Sequence, residues 1–549
     1  MKQLRWILKV IGPFWKSVAA MMFCHIAVAV CAVAFVYVSK VLVDNAVDIL
    51  STSSSAGFDA GEDGLALWVC FMVGIILLRI SFNSLRTYIQ TRTDVLLRNS
   101  LRSRMFNILL NIHAESGKRH HSGDLMNRVS EDVRMVASAV SSSLPNLFGA
   151  LLQFAAAFVF LMILDLRLAA LIVVIVPFGV LAGRYVMRRI RSLTHDVRAS
   201  DSKVQAHIQE SIQHRTVIQT MDYADASSSS LSELQDSLYG NELRRVRFSL
   251  LSRILVSLAM SAGQAVAFVW GVYGISTGVV TYGMMTAFLQ LVGQIQRPVM
   301  EISSSIPSLI HASASVDRIL ELEDIPLDSD ADAHFVSGMP GVRLENVSFA
   351  YPDSQTDVLT DFSYDFRPGS RTAIVGPTGV GKSTLIRLLL ALLTPRSGRV
   401  VVYGDDEVTA SASTRCNLVY VPQGNSLFSG TIRENLMIGD PTADEDRMWW
   451  ALETAAADFV RDLPQGLDSQ CLESGAGLSE GQAQRIAVAR ALLRPGKILL
   501  LDEFSSALDS DTEDALLSRL TAALPGHTMI FITHRDRIID FCDSVLRMG

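Results

Sequence analysis

Gly376–Ser383 reads GPTGVGKS. It lies between the apolar run RTAIV (Arg371–Val375) and the helix-forming run TLIRLLLALL (Thr384–Leu393). The eight residues fit G-x-x-x-x-G-K-[ST], and strand before, helix after, is the context that pattern needs. Gly376, Gly379 and Gly381, with Pro377, Thr378 and Val380 between them, let backbone N–H groups curl around phosphate oxygens. The start of the following helix adds a favourable dipole. Lys382 is placed to reach terminal phosphates, and the Ser383 hydroxyl to ligate Mg2+. A strand–loop–helix of this kind predicts an α/β domain that binds a nucleotide.

The surrounding sequence supports that class. Runs of strand type recur at VRLENVSF, RTAIV, GRVVVYG, NLVYVP, KILLLDE and TMIFITH, with helical patterns between several of them. That alternation predicts a mostly parallel sheet covered by helices. Lys497–Glu503 (KILLLDE) is a buried strand ending in two carboxylates. Asp502 at its end can hold Mg2+, and Glu503, one residue on, can polarise an attacking water. An apolar strand ending in acids is by itself an ordinary solvated strand end; the phosphate loop upstream makes it more. Upstream again, Glu321–Gly341 (ELEDIPLDSDADAHFVSGMPG) is acidic, lacks periodicity and reads as a linker.

The first 320 residues are of another kind. The 549-residue chain is 49% hydrophobic, with mean hydropathy +0.31, too apolar for a soluble protein of this length. Six apolar stretches reach spanning length: Val18–Val43, Leu65–Tyr88, Ala137–Leu164, Leu168–Met187, Phe248–Tyr273 and Met284–Ile302. Buried helices of a soluble protein are the alternative, and six such runs argue against it. Lys2, Arg5, Lys9 and Lys16 precede the first stretch as in a secretory leader, but its length and the spans that follow mark a retained helix. Ser51–Gly64 has only acidic charges and Ile275–Gly283 has none, whereas Arg92–Arg134 and Arg184–Arg253 are basic. Positive loops stay in the cytoplasm, so both termini and the α/β domain are expected there, in a cell (inner) membrane. The two basic insertions keep a helical pattern. Short crossings at His113–Ser122 and Gln213–Ala224 are expected at their tips, with ordinary loops as the alternative. The net charge of −7 gives no reason to expect a nucleic-acid partner. The six cysteines form no metal spacing and read as reduced thiols.

Leu478–Gln482 reads LSEGQ and continues AQR. This resembles the signature of the ATP-binding cassette (ABC) family. The phosphate loop, the acid-ended strand, Ser506–Asp509 (SALD) and His534 in ITHR stand in that family's order. Gln423 in VPQ resembles its Q-loop, Tyr351 in FAYPD the aromatic residue that stacks on adenine, and Glu473–Gly477 the stretch before the signature. His121–Val133 (HSGDLMNRVSEDV) is similar to the family's first cytoplasmic crossing. Six spans followed by one cassette is the layout of an exporter-type half-transporter. The resemblance implies a membrane domain over 1–320, a linker over 321–341 and a cassette with a helical subdomain over 342–549. It implies ATP and Mg2+ as cofactors. Lys382, Ser383 and Thr384 would bind phosphate and metal, Gln423 would sense Mg2+ and water, Glu503 would be the base and His534 would contact the γ-phosphate. Ser479, Gly481 and Gln482 would complete the site of a second half-transporter, in a homodimer or a heterodimer. The implied activity is ATP-driven export of a hydrophobic or amphipathic substrate (lipid, drug or small peptide) across the bilayer by an alternating-access dimer.

Two positions depart from the pattern. Glu480 stands where the family usually has Gly, and is expected to point away from phosphate. Phe504 replaces a small residue after Glu503. Family members usually run further than Gly549, so a short C-terminus is expected, and the lack of a leading peptidase domain points away from coupled peptide processing. An ATP-gated channel or regulatory membrane ATPase would carry the same motifs. An importer is disfavoured by the fused cassette, and a soluble ATPase of the superfamily by the spans. Gln290 and Gln294, four apart in the sixth span, share a helix face. They read equally as cavity-lining groups or as amides bonded to a neighbouring helix, with Gln264 a weaker candidate.

Overall fold

The structure, a computed structural model, describes residues 2–52, 62–112, 122–328, 332–351, 354, 356–471 and 477–549, with the side chains of 171–187 among those not described. Two compact units divide the chain: 1–106 with 123–322, and 107–122 with 323–549.

The first unit is helical. A ten-residue helix α1 (Lys2–Ile11) leads into α2 (Trp15–Thr52) and α3 (Glu62–Asn111). A continuous run α4 covers 122–164, and α5 (Leu166–Gln213), the short α6 (Arg215–Thr220), α7 (Ala224–Ser276) and α8 (Tyr282–Glu323) follow. At 50 residues α3 would be roughly 75 Å long, against a hydrocarbon core of about 30 Å. The basic insertions are therefore continuations of spanning helices, as their pattern predicts. The second crossing is α6; the first lies almost wholly outside the described residues. Among the described residues four helices are long and apolar enough to span: Arg5–Ile49, Gly64–Asn111, Gly123–Leu164 and Ala224–Ser276; the expected span Leu168–Met187 lies in α5, where the side chains of 171–187 are not described. The stretch Met284–Ile302 lies within α8, where Arg297, Glu301 and three glutamines lower its hydropathy.

Breaks in the helices have local causes. Asp165 is extended (φ −155°), and its Oδ1 accepts from the N–H groups of Arg167 and Leu168, capping α5. Its Oδ2 accepts from Trp270 Nε1 (2.9 Å), tying that turn to α7. Two π-turns, Arg128–Asp132 and Ala139–Ser143, interrupt α4. The first aims Asp132, almost fully buried, at α8, where Ser315 Oγ (2.8 Å) and Arg318 Nε (2.7 Å) donate to it. Arg128 donates to Asp124, to Glu321 and to the Arg318 carbonyl. The described part of the stretch similar to the family's first crossing is thus tied to α8 by an ionic network in which Asp132 and Arg128 are buried and Asp124, Arg318 and Glu321 are exposed. Gln294 Nε2 donates to the Ala32 carbonyl (3.1 Å) on α2, while the Oε1 atoms of Gln290 and Gln294 are buried without a partner among the described residues. Gln264 is exposed.

In the second unit, β1 (Gly341–Phe349), β2 (Leu359–Phe366), β4 (Ser397–Tyr403) and β5 (Glu407–Thr409) form an antiparallel sheet in the order β2-β1-β4-β5. A parallel sheet has the order β11-β3-β10-β9-β6. Its strands are β3 (Arg371–Val375), β6 (Leu418–Val421), β9 (Ile498–Asp502), β10 (Thr528–Ile532) and β11 (Ser544–Arg547), while β7 (Gly430–Thr431) and β8 (Gln470–Cys471) form a short antiparallel pair. VRLENVSF and GRVVVYG, expected in one mostly parallel sheet, pair instead in the antiparallel one. Between the sheets α9 (Lys382–Leu389) buries Leu385, Ile386, Leu388 and Leu389. Each such side chain contributes about 1.5–3 kcal/mol of burial. A second apolar cluster joins the far face of the parallel sheet to α10 (Ile432–Met437), α11 (Glu445–Thr454), α12 (Glu480–Leu492) and α13 (Ser510–Ala523). That is the helical subdomain.

Candidate functional site

The order β3-β10-β9-β6 sets the chemistry. Parallel strands end on the same edge, and loops there are where α/β sheets bind ligands. The glycine loop leaves β3, Thr533 and His534 leave β10, Asp502 ends β9 with Glu503 after it, and Gln423 follows β6. Side chains more than 150 residues apart therefore converge.

Lys382 Nζ donates to the carbonyls of Gly376 (2.5 Å) and Pro377 (3.4 Å) and to His534 Nε2 (2.9 Å). His534 Nε2 lies 3.8 Å from Glu503 Oε1, and Gln423 Nε2 donates to Glu503 Oε2 (2.5 Å). Glu503 adopts φ +46°, a left-handed conformation that costs a non-glycine residue roughly 1–2 kcal/mol. Its N–H donates to the Ile532 carbonyl (3.0 Å), which holds the turn against β10. Asp502 is buried; burial, and then the charge of Glu503, push its carboxyl above the usual range.

The loop fits phosphate. Gly379 and Gly381 have φ +89° and +105°. A Cβ on Gly376 would sit 2.5 Å from the Met548 carbonyl oxygen, and one on Gly381 would sit 2.8 Å from Val358 Cγ1. Backbone must therefore lie where side chains would otherwise stand. The Lys382 ammonium rests on loop carbonyls, bonds that an anion in the loop would take over. The Ser383 hydroxyl, Asp502 and the Gln423 amide offer the hard oxygen donors that Mg2+ prefers. Tyr351 lies with its ring edge-to-face on Phe349 (5.1 Å), and its hydroxyl is 3.1 Å from Thr384 Oγ1. Pro352 and Asp353, which follow it, lie outside the described residues.

Ser479, Gly481 and Gln482 form a second group at the start of α12. Ser479 Oγ accepts from the Gln482 N–H (3.2 Å), and Gln482 Oε1 accepts from the Ser479 N–H (2.9 Å), a reciprocal cap. Among the described residues, no hydrogen bond joins this group to Lys382, Gln423, Glu503 or His534. A Cβ on Gly481 would be 2.7 Å from the Ala507 carbonyl oxygen, so the glycine permits close approach of the SALD backbone. Glu480 is exposed in the first turn, and residues 473–476 before the group lie outside those described.

Several participants went unnoticed in the sequence. Arg535 donates to the carbonyls of Ser506 (2.9 Å) and Leu508 (3.1 Å) and pairs with the buried Glu513 (3.2 Å). Gln484 Nε2 donates to Ser506 Oγ (3.0 Å), and Tyr420 OH donates to Asp502 Oδ2 (3.4 Å). Arg535 stands beside His534 in the motif, and that adjacency was the available signal. Phe504 also gains an account: it is 1% exposed and packs on Phe531 (5.9 Å) in the subdomain core, anchoring the turn that carries Glu503.

The family described as ABC transporter transmembrane region matches residues 18–299, and the family described as ABC transporter matches 359–506. The chain is 32% identical over 91% of its length to the ABC multidrug transporter mdr2 of Aspergillus fumigatus, spanning 64% of that protein. It is 31% identical over 77% of its length to the fatty acid ABC transporter ATP-binding/permease protein of Mycobacterium bovis, spanning 68% of that protein. A solved structure of a bacterial Atm1-family ABC exporter with ATP bound matches 96% of the chain and 94% of its own, with TM-score 0.81 and 25% identity.

Proposed function

This chain belongs to the ABC transporter family, with an exporter-type membrane domain and an ATP-binding cassette fused in one polypeptide, and we propose that it exports a hydrophobic or amphipathic substrate as a dimer with a second half-transporter. The observation that carries the reading is the convergence of Lys382, His534, Glu503 and Gln423 on four adjacent strand ends.

Each residue has a role that follows from its place. The glycine loop and Lys382 bind the terminal phosphates of ATP. Ser383, Asp502 and Gln423 hold Mg2+, which when bound neutralises phosphate charge. Glu503 takes the proton of the attacking water through the oxygen that Gln423 does not occupy. His534, bonded to Lys382 and close to Glu503, orients both and contacts the γ-phosphate. Tyr351 presents its ring to adenine. Ser479 and Gln482 cap each other at the start of α12, beside Gly481, and the N-terminal N–H groups of that helix face the partner's ATP. Each site is then complete only when two chains close, so ATP stabilises the closed pair relative to the open one. Closure turns the membrane cavity outward, and hydrolysis resets it. The basic insertions support a cassette in the cytoplasm, on the inner face of a cell membrane.

The test is Glu503→Gln in full-length protein in nanodiscs. ATP hydrolysis is expected to fall by about 10²–10⁴-fold, the usual contribution of a general base, with ATP still bound. Hydrolysis at the wild-type rate refutes the assignment.

A further inference from the structure

We propose that Arg415 is a positioning residue for the ATP site: it fixes the trailing end of α9, the helix that begins with Lys382, and through Asp328 it joins that helix to the last turn of α3. Its role rests on the reading that the glycine loop binds ATP, whatever the transported substrate.

The helix α9 has eight residues and is about 12 Å long. Lys382, Ser383 and Thr384 occupy its first turn, so the phosphate-binding end cannot shift without the other end following. That other end is strained. Ala391 N–H donates to the Leu388 carbonyl (3.0 Å) and Leu392 N–H to the Arg387 carbonyl (2.8 Å), the pair of bonds that closes a helix through a left-handed residue. Glycine usually fills that place; here Ala391 holds φ +50°. Arg415 supports the turn. Its Nε donates to the Leu390 carbonyl (2.9 Å) and its Nη2 to the Ala391 carbonyl (2.7 Å), which puts a cation at the negative end of the helix.

A second set of contacts leads away from the same guanidinium. Arg415 Nη1 donates to Asp328 Oδ2 (2.6 Å), and the two side chains are 25% and 20% exposed, so solvent screens the pair only in part. Asp328 N–H donates to the carbonyl of Asn111 (2.8 Å), the last residue of α3, and Leu327 and Ile112 form an antiparallel bridge. The end of α3 from residue 107 therefore belongs to the second unit, although the helix runs unbroken from Glu62. Arg415 itself stands on a firm base. It lies in the short helical turn Ala412–Asn417, where Ser411 and Thr414 cap each other. The buried Asn417 donates to the His334 carbonyl (2.7 Å) and accepts from the Val336 N–H (2.9 Å). One turn thus grips the linker at two places and the end of α9 at a third.

Nε, Nη1 and Nη2 of Arg415 are each engaged, two on α9 and one on Asp328. A lysine has a single ammonium and cannot hold both sides in this way. An anion in the glycine loop steadies the start of α9. The short helix passes that order to Leu390 and Ala391, and the guanidinium passes it to Asp328. The bond between Asp328 and Asn111 then opens less often. By reciprocity, order at the end of α3 strengthens nucleotide binding. An isolated surface ion pair does neither; it adds a little stability and stops there.

The experiment follows amide hydrogen exchange in the full-length chain in nanodiscs, with and without ADP and Mg2+. ADP fills the loop without turnover. In the wild type it is expected to slow exchange in residues 376–384 and, at least about threefold, in 107–112 and 327–328. Asp328→Ala leaves the two carbonyl bonds of Arg415 in place, and is expected to abolish the effect at 107–112 while the glycine loop stays protected. Arg415→Gln frees both sides and is expected also to raise the dissociation constant for ADP at least about fivefold, with Arg415→Lys recovering only part of either effect. Melting temperatures are measured for every variant. An ADP effect of wild-type size at 107–112 in Asp328→Ala or Arg415→Gln, whatever the melting temperatures, overturns the proposal. So does a wild type in which ADP protects the glycine loop and not 107–112. Exchange at 376–384 that ADP leaves unchanged overturns the nucleotide assignment and the link together.

Discussion

Phe504→Ala removes the ring beneath the turn that carries the proposed base. The side chain is 1% exposed, lies in the cluster joining the parallel sheet to α12 and α13, and faces Phe531 at 5.9 Å between ring centroids. Truncating a core phenylalanine to alanine costs about 3–5 kcal/mol, loss of the aromatic pair included. For a unit of 150–250 residues each kcal/mol lowers the melting temperature by about 2–4 °C, so a fall of about 6–20 °C is expected. The perturbation also reaches the chemistry. Glu503 keeps its left-handed φ of +46° only because its surroundings hold it there, and Phe504 is the next residue. Melting of the full-length protein, followed with and without ATP, reports the first effect, and the hydrolysis rate well below the melting temperature reports the second. Phe504→Leu, which keeps most of the buried volume, should recover most of the stability. A melting temperature for Phe504→Ala within a degree of wild type, with an unchanged rate, would refute the view that this ring anchors the turn.

Gly481→Ala places a Cβ 2.7 Å from the Ala507 carbonyl oxygen, so α12 or the SALD turn must shift at a cost of about 1–3 kcal/mol; a drop in ATP-dependent dimerisation, read by light scattering, is expected, and its absence would show that the close approach is dispensable. Arg535→Ala strips the carbonyls of Ser506 and Leu508 of a donor and leaves the buried Glu513 unpaired. A loss of about 1–3 kcal/mol is expected for leaving the buried Glu513 without its part-exposed partner, visible by thermal melting, and Arg535→Lys should recover only part of it. The Tyr420 phenol is pushed up to about 12 by burial and then by Asp502. Its folded value lies above the unfolded value of about 10, so its contribution to stability is complete below pH 10 and is lost as pH rises through about 12. Tyr420→Phe should flatten that part of the loss in melting temperature, and parallel curves would count against it.

How much of this was legible in the sequence depends on the range of the interactions. The glycine loop, the acid-ended strand and the spans are local patterns, and local patterns set strand, turn and helix. The length of α3 could be read because helical periodicity continues past the apolar stretch into the arginines. The division into two sheets could not, since β1 and β4 look like any other apolar strands until β2, an alternating run (LTDFSYDF), pairs with β1. Catalytic candidates were recognisable because they stand in motifs. Arg535, Gln484 and Tyr420 were not, because their partners are set by sheet order and subdomain packing. A cavity of about 660 Å3 walled by α2, α3, α4 and α8 was invisible for the same reason: its wall residues Arg79 and Arg297 are 218 positions apart, and only the bundle brings them together. The glutamines of the sixth span drew attention instead. Neither Gln290 nor Gln294 lines that cavity, and Gln294 bonds to the backbone of α2.

The central claim is that ATP binding closes this chain on a second half-transporter, and the pair it forms with its own copy is the form in which the claim is measured. It can be tested without knowing the substrate. Met221, 73% exposed in the turn after α6, accepts a spin label as Met221→Cys once the exposed Cys70 is changed to serine. In a Glu503→Gln background in nanodiscs, distances between the two labels are measured by pulsed dipolar spectroscopy. Without nucleotide a broad distribution at long distance is expected. ATP with Mg2+ should collapse it to a shorter, narrower one, and Lys382→Ala should abolish the change. A dipolar signal that is absent between copies, or a distribution that ATP leaves unaltered, would contradict the account.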